Sequence, residues 1–355
     1  MPYQPNTHIL APDVLTEVRP RCWSRTRQGW RPISRSKRRK SATRATPPSP
    51  ISAYHPRSRT RTPLCAPIEL NNEPIPESLQ LLTWNVEAYG PNARTRLATI
   101  LKHIQGTIFG CPDGEQPEPC CILLQEVNAC ALPAVLENAW VREHFVVAPT
   151  TAEHWPSAHV PTGNVTLVAR TVPVTRAQTL EFAHSPMRRH ALAVDVRLGV
   201  PTAASESDAD SDSDSALGPE RTLRIVNVHL ESLARGTPLR PVQLLAAAKM
   251  LLDPAVHAGV VAGDMNAIAP DDWDLPAYVG LEDAWAGEDD GRGTTWGYQP
   301  PSREFPPGRL DKVLYVPNGT CEVGRPDRVG VGVKTAAGQW ASDHFGLLTT
   351  VSLQP

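Results

Sequence analysis

Short apolar runs that each stop on a carboxylate, an amide or an imidazole recur through this chain, and no other feature restricts its fold as much. Leu79–Asn85 reads LQLLTWN, Cys121–Gln125 reads CILLQ with Glu126 next, Leu223–Leu230 carries His229 near its end, and Val260–Ala262 is followed by Gly263-Asp264. Apolar runs of this length, bounded by turn residues, mark buried strands. Val165–Val168, Ala191–Val196, Leu310–Val316 and Gly346–Leu353 extend the set. Arg94–Ile104 instead spaces Leu97, Ile100, Leu101 and Ile104 as a helix does. Val242–Leu252 is a second helix, with Pro241 accepted in its first turn. The expected architecture is one α/β domain over residues 77–355.

The N-terminal part is of a different kind. Residues 1–76 are rich in Arg, Pro and Ser without a sustained apolar period, so a disordered basic arm is expected there. Fourteen Lys and Arg stand against two acids in residues 1–62, a net +12, and the remaining chain carries −14. An arm of that sign suits polyanions or an addressing function. Lys37-Arg38-Arg39-Lys40 has the form of a nuclear import signal read by an import receptor; a solvated tail and a mitochondrial transit peptide are the competing readings. Ser205–Ser215 (SESDADSDSDS) cannot pack, and residues 201–220 are expected to be a disordered acidic insertion. No run of about 18 apolar residues occurs, so no membrane span is expected. The seven cysteines form no C-x-x-C pair, which argues against a disulfide framework and a structural zinc site. The expected setting is a reducing intracellular compartment, and the expected state a monomer.

Six polar clusters sit at or just past strand ends. They are Asn85; Gln125-Glu126; His229 with Ser232; Gly263-Asp264-Met265-Asn266; Arg309-Leu310-Asp311; and Ser342-Asp343-His344. Each alone has an ordinary explanation: an edge carboxylate, a turn, a helix cap or a structural histidine. Their coincidence at the strand ends of one domain, where sites form, points to chemistry. One glutamate with several aspartates and asparagines is an oxygen-rich set that suits a hard cation such as Mg²⁺. Two histidines without sulfur companions do not make a structural zinc site. A carboxylate base, a histidine and a metal together match phosphodiester hydrolysis.

The motifs LLTWN (81–85), LLQE (123–126), VNVHLES (226–232), GDMN (263–266), RLDKVLY (309–315) and SDHFGLL (342–348) resemble, in that order, those of the endonuclease/exonuclease/phosphatase superfamily. That metal-dependent group includes DNase I, abasic-site endonucleases and neutral sphingomyelinases. The resemblance implies a four-layer, DNase I-like α/β sandwich: two mostly antiparallel sheets face to face, with helices outside. HLES at 229–232, Arg240 and Gln243 after it, Thr295-Trp296 and the SDHFGLL ending are most similar to the 5′-tyrosyl-DNA phosphodiesterases (the tyrosyl-DNA phosphodiesterase 2 group). GDMNAI lacks the arginine of that group's GDTNLRD, and WNVEAYG departs from its WNIDGLD.

From the resemblance and the chemistry together, Glu126 would bind Mg²⁺, or Mn²⁺ in its place, with Asn85 beside it on metal water or phosphate. Asp264 would orient and deprotonate the attacking water, and Asn266 would steer the phosphate. His229 and Ser232 would donate to non-bridging oxygens. His344 would meet the charge developing there, and Asp311 would hold its ring and tautomer. Asp343 would support the metal shell or the water network. Trp296 would stack on a nucleobase or pack under a loop; Arg240 would contact a DNA phosphate or form an ion pair on its helix. The implied function is Mg²⁺-dependent hydrolysis of a 5′-phosphotyrosyl-DNA linkage in DNA repair. The implied partner is a DNA 5′ end bearing a protein adduct, and the implied location the nucleus, with cytoplasm or mitochondrion as alternatives. Abasic DNA, RNA or a phospholipid on the same site, or a catalytically silent nucleic-acid-binding scaffold, are the other readings. Intact Glu126, Asp264 and His344 count against the scaffold.

Overall fold

Long strands whose two faces are both covered need almost wholly apolar sequences, and that is the arrangement found. The computed structural model describes residues 74–156, 161–201, 219–285 and 291–355, together with five short strands before them. Those five are β1 (Trp23–Thr26), β2 (Gly29–Pro32), β3 (Arg44–Ala45), β4 (Ser52–His55) and β5 (Thr60–Pro63). The chain divides into two compact units, residues 1–41 and 42–355. The first contains the antiparallel hairpin β1–β2.

The second unit continues with β6 (Ser78–Asn85), β7 (Cys120–Asn128), β8 (Phe145–Ala148), β9 (Thr162–Ala169), β10 (Val174–Glu181), β11 (His190–Gly199) and β12 (Glu220–His229). It ends with β13 (Ala258–Asp264), β14 (Glu282–Asp283), β15 (Asp311–Tyr315), β16 (Cys321–Val323), β17 (Asp327–Val329) and β18 (Gly346–Leu353). One sheet runs β14-β15-β13-β12-β11-β10-β3; the other runs β16-β18-β6-β7-β9-β8-β4-β5, with β17 also on β18. Among the described pairings only β6–β7 and β12–β13 are parallel, one in each sheet. A parallel pair needs a crossover, and the helices Ala93–His103 and Arg240–Met250 lie in those two connections.

Side-chain alternation sorts the layers. Leu79, Leu81, Leu123, Ile225, Val260 and Val313 meet between the sheets. Leu82, Trp84 and Ile122 face the other way, onto Leu97, Ile100 and Leu101 of the first helix. Val226, Val261 and Leu314 likewise pack on Leu244, Ala247 and Leu251 of the second helical region. The result is the expected helix–sheet–sheet–helix sandwich of mostly antiparallel sheets.

The structure also departs from the sequence expectations. β8, an apolar FVVA run, is absent from the expected strands, and β10, β14, β16 and β17 escape an apolar-run criterion; β10, for example, reads VTRAQTLE. Within the expected basic arm of residues 1–76 the structure describes five short strands, and the residues between them lie outside the described residues. β3 pairs with β10, β4 pairs with β8, and β5 extends β4. A sheet edge offers unpaired N–H and C=O groups, and a segment that satisfies them needs no apolar period of its own. The basic run 37–40 and residues 202–218 of the acidic insertion lie outside the described residues. The five described cysteines are free, and among the described residues no helix is long and apolar enough to cross a membrane.

Candidate active site

Strand register assembles the site. At the ends of β12, β13 and β15, His229 lies opposite Asp264, and Asp264 opposite Asp311. Gly263 allows this close approach: its φ is +143°, and a Cβ there would lie 1.9 Å from the Val228 carbonyl oxygen. From the other sheet, Asn85 at the end of β6 donates from Nδ2 to Asp264 Oδ2 at 3.0 Å. Glu126 stands where the β7–β9 register shifts between Leu124 and Val127, at a φ of +56°. Such a bulge re-aims a side chain. Its Oε1 lies 3.6 Å from His229 Nε2, and its Oε2 accepts from the Ala88 amide at 3.1 Å. Gln125 beside it stays buried between the sheets, donating to Thr83 and Asn227.

Asp264 is the centre of the cluster. Its Oδ2 is 3.3 Å from His229 Nε2 and 3.9 Å from His344 Nε2, and its Oδ1 accepts from the Asn266 amide at 2.8 Å. Burial pushes its carboxyl up to about 7 against the pull of His344, and Asp311 adds to the rise. A carboxylate of that basicity can take a proton near neutral pH.

The two histidines are held in opposite states. His229 Nδ1 accepts from Arg189 Nη1 at 2.8 Å, so its own proton resides on Nε2, toward Asp264. Burial, with the Arg189 charge, holds His229 well below the usual histidine range and therefore neutral. His344 Nδ1 donates to Asp311 Oδ2 at 2.8 Å. Burial alone would lower it, but Asp311, Asp343 and Asp264 override burial and lift it well above the usual range. Asp311 is wholly buried, and its Oδ1 has no hydrogen-bond partner among the described residues. Thr295 Oγ1 fixes that aspartate by accepting from the amides of Leu310 and Asp311. Trp84 Nε1 donates to the His344 carbonyl, and the His344 amide donates to Ser342 Oγ.

Other expected residues are placed less centrally. Asp343 Oδ2 accepts from Trp296 Nε1 at 2.9 Å, so the half-buried indole orients this carboxylate. Asn266 is tied by Nδ2 to the Leu230 carbonyl. Ser232 Oγ donates to Met187 Sδ at 3.1 Å and to no member of the cluster. Arg240 corrects the expectation of a phosphate contact. It is fully buried and forked on Asp272 at 2.9 and 2.7 Å, with its other donors on the carbonyls of Glu231 and Leu233 and on Thr237 Oγ1. A guanidinium occupied on every side cannot reach DNA; it braces the HLES turn against the loop after Asn266.

Two charged residues at the site escaped the sequence patterns. Arg189 lines a narrow cleft with Glu126, Asn164, His190 and His229. It is 9% exposed, and its Nε has no partner among the described residues. It stands in no motif, so nothing in the sequence marks it. Glu87 lies two residues after Asn85, in the WNVEAYG stretch, and that proximity is a usable signal. Burial and the Asp343 charge push its carboxyl up to about 7, with Arg96 opposing and Glu126 adding to the rise.

The donor set fits a hard divalent cation. The carboxylates of Glu126 and Asp343 both bear on Glu87, and such an excess of negative charge is what a cation relieves. Glu126, with Asn85 beside it, is the pair that would hold one. Asp264, Asp311 and His344 also offer ligand atoms within 4.8 Å of one another. With His344 protonated and bonded to Asp311, that trio is better suited to handling charge on a substrate.

The sequence profile of the endonuclease/exonuclease/phosphatase family matches residues 82–344. Among curated proteins, a sequence search finds no match. The fold is similar to that of truncated TDP2 from Caenorhabditis elegans, at 16% identity and a TM-score of 0.56, over 78% of this chain and 97% of that one. It is also similar to a D. rerio TDP2 complexed with a single-strand DNA product, at 19% identity and a TM-score of 0.55, over 78% of this chain and 99% of that one. Likeness at this identity concerns the fold.

Proposed function

We propose a specific reaction on one premise: this chain belongs to the endonuclease/exonuclease/phosphatase family and is a metal-dependent phosphodiesterase. The bond it hydrolyses is the one joining a DNA 5′ phosphate to a tyrosine oxygen. The observation that carries the reading is Asp264, a buried carboxylate with a pKa of about 7, set between a neutral and a protonated imidazole.

In this reading Asp264 holds the attacking water and accepts its proton. The His344 Nε2 proton is donated to a non-bridging phosphate oxygen, and Asp311 keeps that ring charged and oriented. His229 donates from Nε2 as a neutral partner, its tautomer set by Arg189. Glu126, with Asn85 beside it, would hold a divalent cation, Mg²⁺ or Mn²⁺ in its place, which would supply charge neutralisation at the phosphate. Attack at phosphorus breaks the bond to the tyrosine oxygen and leaves a 5′ phosphate. Phenolate, with a conjugate acid of pKa about 10, departs without a strong general acid.

The tyrosyl-DNA preference is supported by the HLES turn, by the Trp296–Asp343 pair and by likeness to TDP2 folds. The test is cleavage of a 5′-phosphotyrosyl oligonucleotide beside abasic DNA, RNA and sphingomyelin, with Mg²⁺, with Mn²⁺ and with chelator. Metal-dependent cleavage of the first substrate alone is the expected result. Preference for another would replace the substrate assignment, and cleavage of none would favour a silent scaffold. On the same reading the protein acts in the nucleus, addressed by Lys37-Arg38-Arg39-Lys40. Imaging a variant with those four residues replaced by alanine checks that assignment.

A further inference from the structure

We propose that Arg96 is a positioning residue for the metal side of the site; this rests on the reading that Glu126 and Asn85 hold a divalent cation. An arginine near the start of a surface helix is ordinarily solvated. Arg96, on the helix Ala93–His103, is instead 2% exposed. Its Nε donates to the Pro91 carbonyl at 3.0 Å. Nη1 donates to the Val86 carbonyl at 3.3 Å, the Ala341 carbonyl at 3.0 Å and Glu87 Oε2 at 2.9 Å. Nη2 donates to the Gly90 carbonyl at 3.3 Å and to the Glu87 carbonyl. The planar guanidinium thus meets five carbonyls and a carboxylate, a set that no single ammonium could serve.

Four of those carbonyls belong to one turn, 86–91, and the metal side hangs on that turn. The Glu87 amide donates to Asn85 Oδ1 at 3.0 Å, and the Ala88 amide donates to Glu126 Oε2 at 3.1 Å. The fifth carbonyl, of Ala341, precedes Ser342, whose Oγ donates to the Asn85 carbonyl at 2.6 Å and accepts from the His344 amide. One guanidinium therefore joins the turn that aims both proposed cation ligands to the segment that carries His344. Glu87 holds a φ of +54°, a conformation that persists only where surrounding contacts enforce it. Gly90 belongs to the same device: a Cβ there would lie 2.5 Å from Glu87 Oε1 and 2.9 Å from Arg96 Nη2.

The test is direct Mn²⁺ binding to the full chain without substrate, followed by electron paramagnetic resonance of free Mn²⁺. It compares the unaltered protein with Arg96→Lys, Gly90→Ala, Glu126→Gln and Arg94→Ala. Arg94 is the control: it is exposed on the same helix and, among the described residues, pairs only with Glu137. Arg96→Lys keeps the charge but loses the fork, so it should melt cooperatively yet bind Mn²⁺ roughly tenfold more weakly, the scale on which outer ligand supports act. Gly90→Ala should shift affinity in the same direction, because it wedges Glu87 from Arg96, while Arg94→Ala should match the unaltered protein. A folded Arg96→Lys with unaltered affinity, while Glu126→Gln binds weakly, overturns this role alone. Should Arg96→Lys fail to fold, unaltered affinity in folded Gly90→Ala overturns it. No difference between the unaltered protein and Glu126→Gln removes the cation reading, and the role with it.

Discussion

Asp264 and His344 stand 80 positions apart in sequence, from 264 to 344, yet their nearest polar atoms are 3.9 Å apart. If both stabilise one transition state, Asp264→Asn and His344→Ala should each cost several powers of ten in kcat, roughly the scale of removing a base or an oxyanion donor. The double mutant should then lose much less than the product of the two losses. Kinetics of the three variants on one substrate check this, and independent losses would separate the residues. The pH profile is a second residue-scale expectation. Activity needs Asp264 ionised, so kcat/KM should rise as pH passes about 7, and it should fall again once His344 loses its proton above its raised pKa. Asp311 raises both groups, so Asp311→Asn should move both limbs to lower pH. An alkaline limb that stays in place would remove the Asp311–His344 pair from the mechanism.

At the scale of elements, the two parallel strand pairs, one per sheet, decide where chemistry can occur. Their crossovers occupy the outer faces, and the strand ends Asn85, His229 and Asp264, with Glu126 at the β7 bulge, are left on one rim. Short bracing networks then fix the turns beyond those ends. Glu231 accepts from Ser185, from the Met187 amide and from Gln243, and Arg240 clamps Asp272. Arg240→Ala should strand a buried Asp272 and cost about 3–5 kcal/mol of stability. Asp272→Ala placed on top should recover part of that loss, because the unpaired charge goes with it. Urea unfolding of the two singles and the double measures this; a single mutant as stable as the unaltered protein would return Arg240 to the surface. The sequence made the strands and their polar tips legible. It did not reveal these braces, since an arginine in a helix looks alike whether solvated or buried.

For the whole molecule, every residue of the candidate site lies in residues 42–355, so removing residues 1–41 should leave kcat on a short oligonucleotide unchanged. It should also flatten the salt dependence of DNA binding if the basic arm meets phosphates. Removing residues 1–62 is a different experiment, because it takes β3, β4 and β5 away and leaves the edges of β10 and β8 bare. Bare edges invite pairing between chains, so this longer truncation should aggregate while the shorter one stays monodisperse by light scattering. Equal behaviour of the two truncations would show that the edge strands contribute nothing to solubility.

The sequence by itself determined the fold class and pointed to most of the groups that the structure gathers at one site. Apolar runs with polar tips are local signals, and a strand buried on both faces has few other sequences open to it. Asp264, His344, Glu126, His229, Asn85 and Asp311 were all readable for that reason. Tertiary structure alone decided the protonation states, the braces and the edges. That Asp264 is raised, His229 neutral and His344 charged depends on which side chains the strand register sets opposite one another, across separations no local pattern encodes. Arg96, Arg189 and Arg240 were misread or missed because burial of a guanidinium is settled by the carbonyls and carboxylates that close around it. Those acceptors come from distant parts of the chain.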